Sequence, residues 1–128
     1  MKVLVADDDL GFRSTLKRVM ETRGGFQVWE ARDGEEAVEL ARALQPELIL
    51  MDLSMPRMDG LEAVRLIRAW DTEVRIIVCS IYQEPIYRRA ARVCGADAFL
   101  PKSRCYSELD WIRKFAEGSE KVSEEKIA

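Results

Sequence analysis

Residues 48–60, LILMDLSMPRMDG, decide the fold class of this chain. Leu48 to Met51 form a short run of apolar residues, which is typical of a strand buried on both faces of a sheet. Asp52 ends this run, and Asp59 with Glu62 forms the capping-box pattern that starts a helix. A buried strand followed by a loop and a helix is one βα unit, the building block of a parallel sheet.

The same alternation continues along the rest of the chain and predicts five βα units in all. Apolar runs rich in branched or aromatic residues predict the strands Val3–Ala6, Phe26–Glu30, Leu48–Met51, Val74–Cys79 and Ala98–Leu100. Between and after them, apolar residues with helical spacing predict five buried stripes: Phe12, Leu16, Val19 and Met20; Ala37, Leu40, Ala41 and Leu44; Ala63, Leu66, Ile67 and Trp70; Ile86, Ala90, Val93 and Cys94; Leu109, Ile112, Phe115 and Ala116. The pattern predicts one α/β domain over residues 1–118, a doubly wound five-stranded parallel sheet flanked by five helices. Residues 119–128 are polar and are expected to form a tail or the start of a linker.

Several helix ends carry residues with known capping preferences. Asp9 is expected to cap the first helix, Asp33 with Glu36 forms a second capping box, and Pro85 suits a first helical turn. C-terminal caps are expected at Gly24, Gly95 and Gly118.

The composition excludes several classes of function. The 128 residues include no histidine, which excludes catalytic triads that use imidazole and most catalytic zinc sites. The net charge of -3 argues against binding to nucleic acids or acidic membranes, and Arg88, Arg89 and Arg92 are interpreted as a solvated helix face. Three cysteines without a C-x-x-C pair favour a reducing, cytoplasmic location. No apolar stretch has the length of a transmembrane helix, and no signal peptide is expected.

Polar residues of particular types follow four of the predicted strands. Asp7, Asp8 and Asp9 follow the first strand, and the third is followed by Asp52, the fourth by Ser80 and the fifth by Lys102. In an open parallel sheet, ligands bind beyond the carboxyl ends of the strands where the strand order reverses. Any one of these residues alone is most simply a cap, a turn residue or a surface charge, but the combination predicts a shared site.

The predicted cluster of carboxylates calls for a cation. Asp7, Asp8 and Asp52 repel one another when ionised, and Mg²⁺ prefers oxygen ligands of this kind. A carboxylate can act as a nucleophile toward a phosphoryl group, while Mg²⁺ and Lys102 neutralise its oxygens and Ser80 donates a hydrogen bond. The sequence therefore predicts Mg²⁺-dependent phosphoryl chemistry.

The segments that carry these residues resemble the response-regulator receiver domain of two-component signalling. The resemblance rests on VLVADD at residues 3–8, DLSMPRMDG at residues 52–60, Ser80, and GADAFLPK at residues 95–102, and it runs from Lys2 to about Glu117. It implies a flavodoxin-like sheet of order 2-1-3-4-5. It also implies a regulatory module, not an enzyme, whose chemistry is limited to its own phosphorylation and dephosphorylation.

The resemblance also implies a role for each site residue. Asp52 is similar to the phosphoacceptor, Asp8 to a direct Mg²⁺ ligand, and Asp7 to a ligand through water. The backbone carbonyl of Ser54 would complete the metal site together with Asp52. Lys102 would pair with the phosphoryl group, and Ser80 and Phe99 match the switch hydroxyl and the aromatic residue that turns inward when it moves.

Two positions depart from the family pattern. Family members often have a proline directly after the lysine, whereas here Pro101 precedes Lys102 and Ser103 follows it. Ile81, directly after the switch serine, is larger than the alanine or glycine common there and is expected to narrow access to Asp52.

The implied partners are a sensor histidine kinase or a phosphotransfer protein, and an effector domain or separate downstream protein. The resemblance also allows a homodimer that forms on phosphorylation. The expected output surface is the face shared by the fourth helix, the fifth strand and the fifth helix. The chain is either a free-standing receiver or the N-terminal part of a longer regulator.

Two other functions compete with this interpretation. A haloacid dehalogenase-type phosphatase would use Asp7 and Asp9 as its acidic pair, with Ser80 and Lys102 in its next motifs, but it requires a further acidic pair after the lysine and leaves Asp52 without a role. A receiver-like module that binds its partner without phosphorylation would normally lack a member of the acidic pocket, which is complete here. A calcium-binding EF-hand is excluded because Arg18 stands where its closing glutamate belongs.

Overall fold

Five parallel strands form one sheet in a computed structural model of the chain, which describes residues 1–118. In chain order the elements are β1 (Lys2–Ala6), α1 (Leu10–Gly24), β2 (Gln27–Ala31), α2 (Gly34–Leu44), β3 (Leu48–Met51), α3 (Gly60–Trp70), β4 (Arg75–Ser80), α4 (Pro85–Cys94), β5 (Ala98–Pro101), a short 3-10 helix (Lys102–Arg104) and α5 (Leu109–Ala116). The strand order is β2-β1-β3-β4-β5, and all four pairings are parallel. The predicted fold class and strand order are confirmed.

Each face of the sheet carries its own apolar core. Alternate strand residues such as Leu4, Ile49 and Ile76 pack against α2, α3 and α4, while Val5 and Leu50 face α1 and α5. These strand residues are buried, as expected for a parallel sheet covered on both faces. None of the helices within residues 1–118 is long and apolar enough to span a membrane.

The predicted strands are confirmed, with small shifts at their ends. β2 and β4 each lie one residue later than predicted, and β1 and β5 are each one residue longer. Register explains the shifts, because Lys2 pairs with Gln27 and Ser80 pairs with Pro101. Ser80 is therefore the last residue of β4 and is held by the sheet.

Most predicted caps form. Asp9, Asp33 and Asp59 each accept a hydrogen bond from a backbone N–H in the first turn of their helix, and Pro85 is the first residue of α4. In a full capping box the glutamate also accepts from the N–H of the cap residue, and neither glutamate does so here. Glu36 accepts instead from the N–H of Arg32, and Glu62 accepts from the side chain of Arg65.

Two of the three predicted C-terminal glycines adopt the left-handed backbone that favours glycine. Gly95 has φ +117° and Gly118 has φ +79°. The third prediction is wrong, because Gly24 is still helical and the left-handed cap of α1 is Gly25, with φ +69°. The predicted tail, residues 119–128, lies outside the described residues.

The buried stripe predicted for α4 is wrong. Ile86 is 68% exposed and Val93 is 83% exposed, and the buried residue of this helix is Ala91. Tyr87 and Cys94 of the same helix are partly buried against the core, whereas Ile86 and Val93 lie on its outer side. On α3, similarly, Val64 is buried and Trp70 is 36% exposed.

An arginine at the end of α3 joins three segments of the chain, which the sequence did not predict. The guanidinium of Arg68 donates to the backbone carbonyls of Asp71, Val74 and Gly95. It also forms an ion pair of 2.8 Å with the carboxylate of Asp97. These contacts tie α3 to the loops on either side of β4 and α4.

Candidate functional site

The backbone ladder brings the aspartates of two strand ends side by side. Ala6 pairs with Met51 in the sheet, and the next residues are Asp7 and Asp52. The N–H of Asp52 donates to the carbonyl of Ala6 at 2.9 Å, and that of Asp7 donates to the carbonyl of Ala31 at 3.0 Å. Both carboxylates therefore emerge at the point where the strand order reverses.

Three carboxylates form one cluster at this point. Asp7, Asp8 and Asp52 each offer an oxygen atom within 4.8 Å of the other two. Asp7 and Asp52 are buried, whereas Asp8 is exposed at the rim. The donor set is entirely carboxylate oxygen, which fits Mg²⁺ better than a softer ion.

Asp9 does not belong to this cluster. Its side chain instead accepts a hydrogen bond from the N–H of Phe12, 3.3 Å away, at the start of α1. This is the capping role predicted from the sequence. The paired use of Asp7 and Asp9 that a dehalogenase-type phosphatase requires finds no support in this arrangement.

Lys102 lies over the carboxylate cluster. Its Nζ is 2.8 Å from Oδ2 of Asp7 and 3.5 Å from Oδ2 of Asp52. Burial opposes the charge of Lys102, but hydrogen bonds to the two aspartates and their attraction outweigh that effect and raise its pKa. The lysine therefore stays charged and reaches the site although Pro101 precedes it and every described peptide bond is trans.

Asp52 is the carboxylate whose ionisation is most disfavoured by its surroundings. Burial and, next, repulsion from Asp7 are the main causes that raise the pKa of Asp52 from its usual 3.8 to about 7. Lys102 acts in the opposite direction, and the exposed Asp8 contributes a further, smaller rise. A cation bound among these carboxylates would remove the repulsion and favour the ionised, nucleophilic form.

Asp7 is held in place by contacts that the sequence did not reveal. Its Oδ1 accepts a hydrogen bond from the N–H of Asp9 at 2.9 Å. Its backbone carbonyl accepts from Arg13, whose guanidinium also forms an ion pair of 2.8 Å with Glu30 on β2. The spacing of Arg13 within α1 gave no signal for this role, because its partner lies on another element.

The loop after Asp52 approaches the site closely. The N–H of Gly60 donates to the carbonyl of Leu53 at 2.8 Å, and a Cβ at Gly60 would collide with the carbonyl of Asp52. Glycine is therefore required where this loop enters α3. Ser54, whose carbonyl was assigned to the metal by resemblance, is exposed and lies in the same loop between the buried Leu53 and Met55.

Ser80 and Phe99 lie on the neighbouring strands β4 and β5. Ser80 is fully buried, and its Oγ accepts a hydrogen bond of 2.9 Å from the N–H of Tyr82. Phe99 is only 2% exposed and packs in the core on the α3 and α4 side, with the guanidinium of Arg88 5.9 Å from its ring centroid. The ring of Phe99 is thus shielded from solvent on the side of the sheet that α3 and α4 cover.

An open cleft of about 370 Å³ lies at the ends of β4 and β5, with Lys102, which contacts the cluster, in its wall. Ile81 is 69% exposed in its wall. The cleft is lined by Ser80, Ile81, Gln83, Pro101, Lys102 and Ser103.

Comparisons with known proteins agree with the family resemblance found in the sequence. The family model of the response regulator receiver domain matches residues 3–110. The response regulators MprA of Mycolicibacterium vanbaalenii and Mycobacterium avium are each 36% identical to this chain over 109 residues. That match covers 85% of this chain and 47% of the relatives, so the chain spans about half the length of the curated relatives it matches.

Solved structures agree with the sequence relatives. A two-component response regulator of the LuxR family from Aurantimonas has a TM-score of 0.86 at 32% identity, covering 97% of this chain and 90% of that one. The receiver domain of the response regulator NarL from Mycobacterium tuberculosis has a TM-score of 0.85 at 33% identity, covering 91% and 96%.

Proposed function

The chain belongs to the response regulator receiver domain family, and we propose that Asp52 is the residue through which it accepts a phosphoryl group. The observation that carries this proposal is the cluster of Asp7, Asp8 and Asp52 beneath the ammonium of Lys102. Among its members, Asp52 is buried at the end of β3 with an oxygen 3.5 Å from the Lys102 ammonium, and it stands at the position that matches the phosphoacceptor of the family. The domain is a regulatory module, and its chemistry would be its own phosphorylation and the slow hydrolysis of the product.

The proposed reaction forms one bond and breaks one. A carboxylate oxygen of Asp52 attacks the phosphorus of a phosphohistidine on the donor, the P–N bond breaks, and the electron pair leaves with the donor imidazole. Asp8, Asp52 and the carbonyl of Ser54 would hold Mg²⁺ directly, and Asp7 would hold it through water. The metal would supply positive charge to the phosphoryl oxygens during the transfer.

Lys102 would move during this reaction. In the present structure its ammonium is closer to Asp7 than to Asp52, by the difference between 2.8 and 3.5 Å. A phosphoryl group on Asp52 adds strong hydrogen-bond acceptors on that side of the lysine. The ammonium would therefore shift toward Asp52 as the charge there increases.

Ser80 would carry the signal out of the pocket. Its hydroxyl oxygen now accepts from the N–H of Tyr82, in the loop between β4 and α4. If the Ser80 side chain rotates so that its Oγ moves toward the phosphoryl group and donates to it, the N–H of Tyr82 loses its acceptor, and the loop has to rearrange. The rearranged loop, with an inward turn of Phe99 into the space that the hydroxyl leaves, would then alter the face shared by α4, β5 and α5.

The surface next to this loop suits partner binding. Ile81, Ile86 and Val93 are all more than 60% exposed and lie on α4 or just before it. Exposed apolar residues grouped in one region mark a site of interaction more often than scattered ones do. The proposed partners are a sensor histidine kinase or phosphotransfer protein as donor, and an effector domain or downstream protein at the output face.

The first experiment tests the acceptor. With Mg²⁺ and acetyl phosphate, the chain should gain one acid-stable, base-labile phosphoryl group, and Asp52→Ala should abolish it. Asp59→Ala is the matched control, because Asp59 lies in the same loop but caps α3. Ile81 lines the cleft beside the site and is expected to hinder small phosphodonors, so a cognate kinase should be tried as a second donor. Stoichiometric labelling of Asp52→Ala at Asp7 or Asp9 would contradict the proposal and favour the phosphatase interpretation.

The second experiment tests the output. Backbone amide shifts are recorded with and without beryllium fluoride, a phosphoryl analogue, for the parent chain and for Ser80→Ala. The variant should bind the analogue yet lose most of the changes over residues 84–112. Ser103→Ala, in the wall of the same cleft, is the control and should behave as the parent does. Equal shifts in Ser80→Ala and the parent would rule out coupling through this hydroxyl.

A further inference from the structure

The ammonium of Lys102 contacts an aromatic ring in addition to its two carboxylates. Its Nζ lies 4.9 Å from the centroid of the Phe12 ring, on α1. Lysine carries its charge on a flexible four-carbon stem, so the position of the ammonium depends on the groups around it. We infer that Phe12, supported by Tyr106, is a positioning residue for Lys102. This inference rests on the proposed role of Lys102 in phosphoryl transfer.

Phe12 is itself fixed by two other parts of the chain. Its backbone N–H is bound by the side chain of Asp9, which caps α1. Its ring packs against the ring of Tyr106, with centroids 5.5 Å apart and a tilt of 44°, and the Tyr106 hydroxyl lies 3.5 Å from the Phe12 carbonyl and donates to it. The ring is therefore anchored from both the helix and the segment before α5.

An aromatic ring attracts a cation electrostatically, which an aliphatic side chain of similar size does not do. The face of the ring attracts a cation through its quadrupole, so it holds the ammonium without neutralising its charge. Asp7 and Asp52 alone would draw the ammonium toward whichever carboxylate is closer. A ring on a further side of the ammonium limits its movement and excludes water there, since the Lys102 side chain is only 15% exposed.

The ring also suits a lysine that has to move. A cation is attracted to a ring face anywhere within about 6 Å of the ring centroid, whereas a hydrogen bond weakens steeply with angle. The ammonium of Lys102 therefore keeps its contact with Phe12 while it shifts from Asp7 toward a phosphoryl group on Asp52. Phe12 would speed the transfer without touching the reacting atoms.

The experiment compares three substitutions of the same kind. Phe12→Leu removes the ring and keeps an apolar side chain, and Phe12→Tyr keeps the ring. Phe26→Leu is the matched control, because Phe26 also lies against a cation, the guanidinium of Arg113 at 4.5 Å, but on a different part of the fold. Urea unfolding establishes conditions in which every variant is folded.

Two measurements are made on each variant. The first is the NMR shift of the Lys102 ε-protons in metal-free protein, which a nearby ring face moves upfield. The second is the rate of phosphorylation by acetyl phosphate with Mg²⁺, repeated in a Lys102→Met background. The first measurement does not depend on any phosphoryl chemistry.

The expected pattern is specific to the ring and to the lysine. Phe12→Leu should remove the upfield shift and slow phosphorylation roughly threefold to tenfold, the range of a partly buried cation–π contact. Phe12→Tyr should restore both values, Phe26→Leu should change neither, and Phe12→Leu should add no further loss to Lys102→Met.

Three results would overturn the inference. The first is that the Lys102 ε-proton shift in Phe12→Leu equals that of the parent. The second is that Phe12→Leu and Phe12→Tyr slow phosphorylation equally. The third is that Phe12→Leu slows phosphorylation in the Lys102→Met background as much as it does in the parent. If the parent accepts no phosphoryl group from any donor while the ε-proton shift still depends on Phe12, the proposed function fails and the positioning of Lys102 stands.

Discussion

Replacing Asp52 by asparagine should stabilise the metal-free protein, and the gain should depend on pH. Burial and the repulsion from Asp7 raise the pKa of Asp52 from its usual 3.8 to about 7. The folded state therefore holds a proton on Asp52 more tightly than the unfolded chain does. The stabilisation that this proton supplies is complete below pH 3.8 and is lost as the pH rises through about 7.

The size of the effect follows from the difference between the two pKa values. Each pKa unit corresponds to about 1.4 kcal/mol, so the parent should lose about 4 kcal/mol of stability from this group between pH 4 and pH 8. Asp52→Asn has no carboxyl at this position and lacks that loss. The free energy of unfolding of the variant, relative to that of the parent, should therefore rise by about 4 kcal/mol from pH 4 to pH 8.

The assay is urea unfolding in the presence of EDTA at half-unit steps from pH 4 to pH 8, for the parent and for Asp52→Asn. Lys102 lowers the pKa of Asp52, so Lys102→Met should move the parent's loss of stability to higher pH. Saturating Mg²⁺ should flatten the parent's curve, because the cation favours the ionised carboxylate and binds only the folded site. Parallel curves for the parent and Asp52→Asn in EDTA would refute the reasoning.

Two further substitutions test other parts of the structure. Asp8→Ala should weaken Mg²⁺ binding, measured by titration calorimetry, roughly tenfold or more. Asp9→Ala should leave that affinity nearly unchanged and should lower the free energy of unfolding by about 1 kcal/mol, because a helix cap is lost. Equal losses of Mg²⁺ affinity in both variants would contradict the distinction between ligand and cap. Arg68→Leu should lower the free energy of unfolding by about 2–4 kcal/mol, because it removes a donor from three backbone carbonyls and removes the ion pair of the Asp97 carboxylate, which keeps the N–H of Ile76 as a donor. The control is Arg65→Leu, whose arginine pairs with Glu62 on the surface of the same helix and should leave unfolding nearly unchanged; a similar loss from both arginines would show that surface charge, and not the Arg68 network, is responsible.

Local patterns in the sequence were sufficient for the order of the elements. The apolar runs of β1 and β3 and the periodicity of α2 and α5 are properties of neighbouring residues, and they predicted these elements to within a residue or two. The same holds for the caps at Asp9, Asp33 and Asp59, because a cap bonds to the turn that follows it.

Periodicity failed for α4 because it reports a pattern and not the partner that covers it. Ile86 and Val93 recur at helical spacing and were expected to be buried, but α4 packs on the sheet through Ala91. How closely a helix approaches its sheet depends on the side chains of both, so the exposed face of α4 was decided by tertiary packing. An amphipathic pattern with a large apolar residue on the outside is also what a binding surface requires.

The sequence by itself determined which residue types stand at the ends of the strands, and so the kind of chemistry the site supports. Ligands bind at the switch point of a parallel sheet, so these residue types, together with the sheet order 2-1-3-4-5 implied by the family resemblance, predicted that Asp7, Asp52 and Lys102 lie together. Only the tertiary structure decided that Lys102 rests closer to Asp7 than to Asp52 and that Phe12 covers its ammonium. The contacts of Lys102 with Asp7 and Phe12 join residues about ninety positions apart in the chain, and their distances arise from the packing of α1 against the segments around β5, which no local pattern encodes.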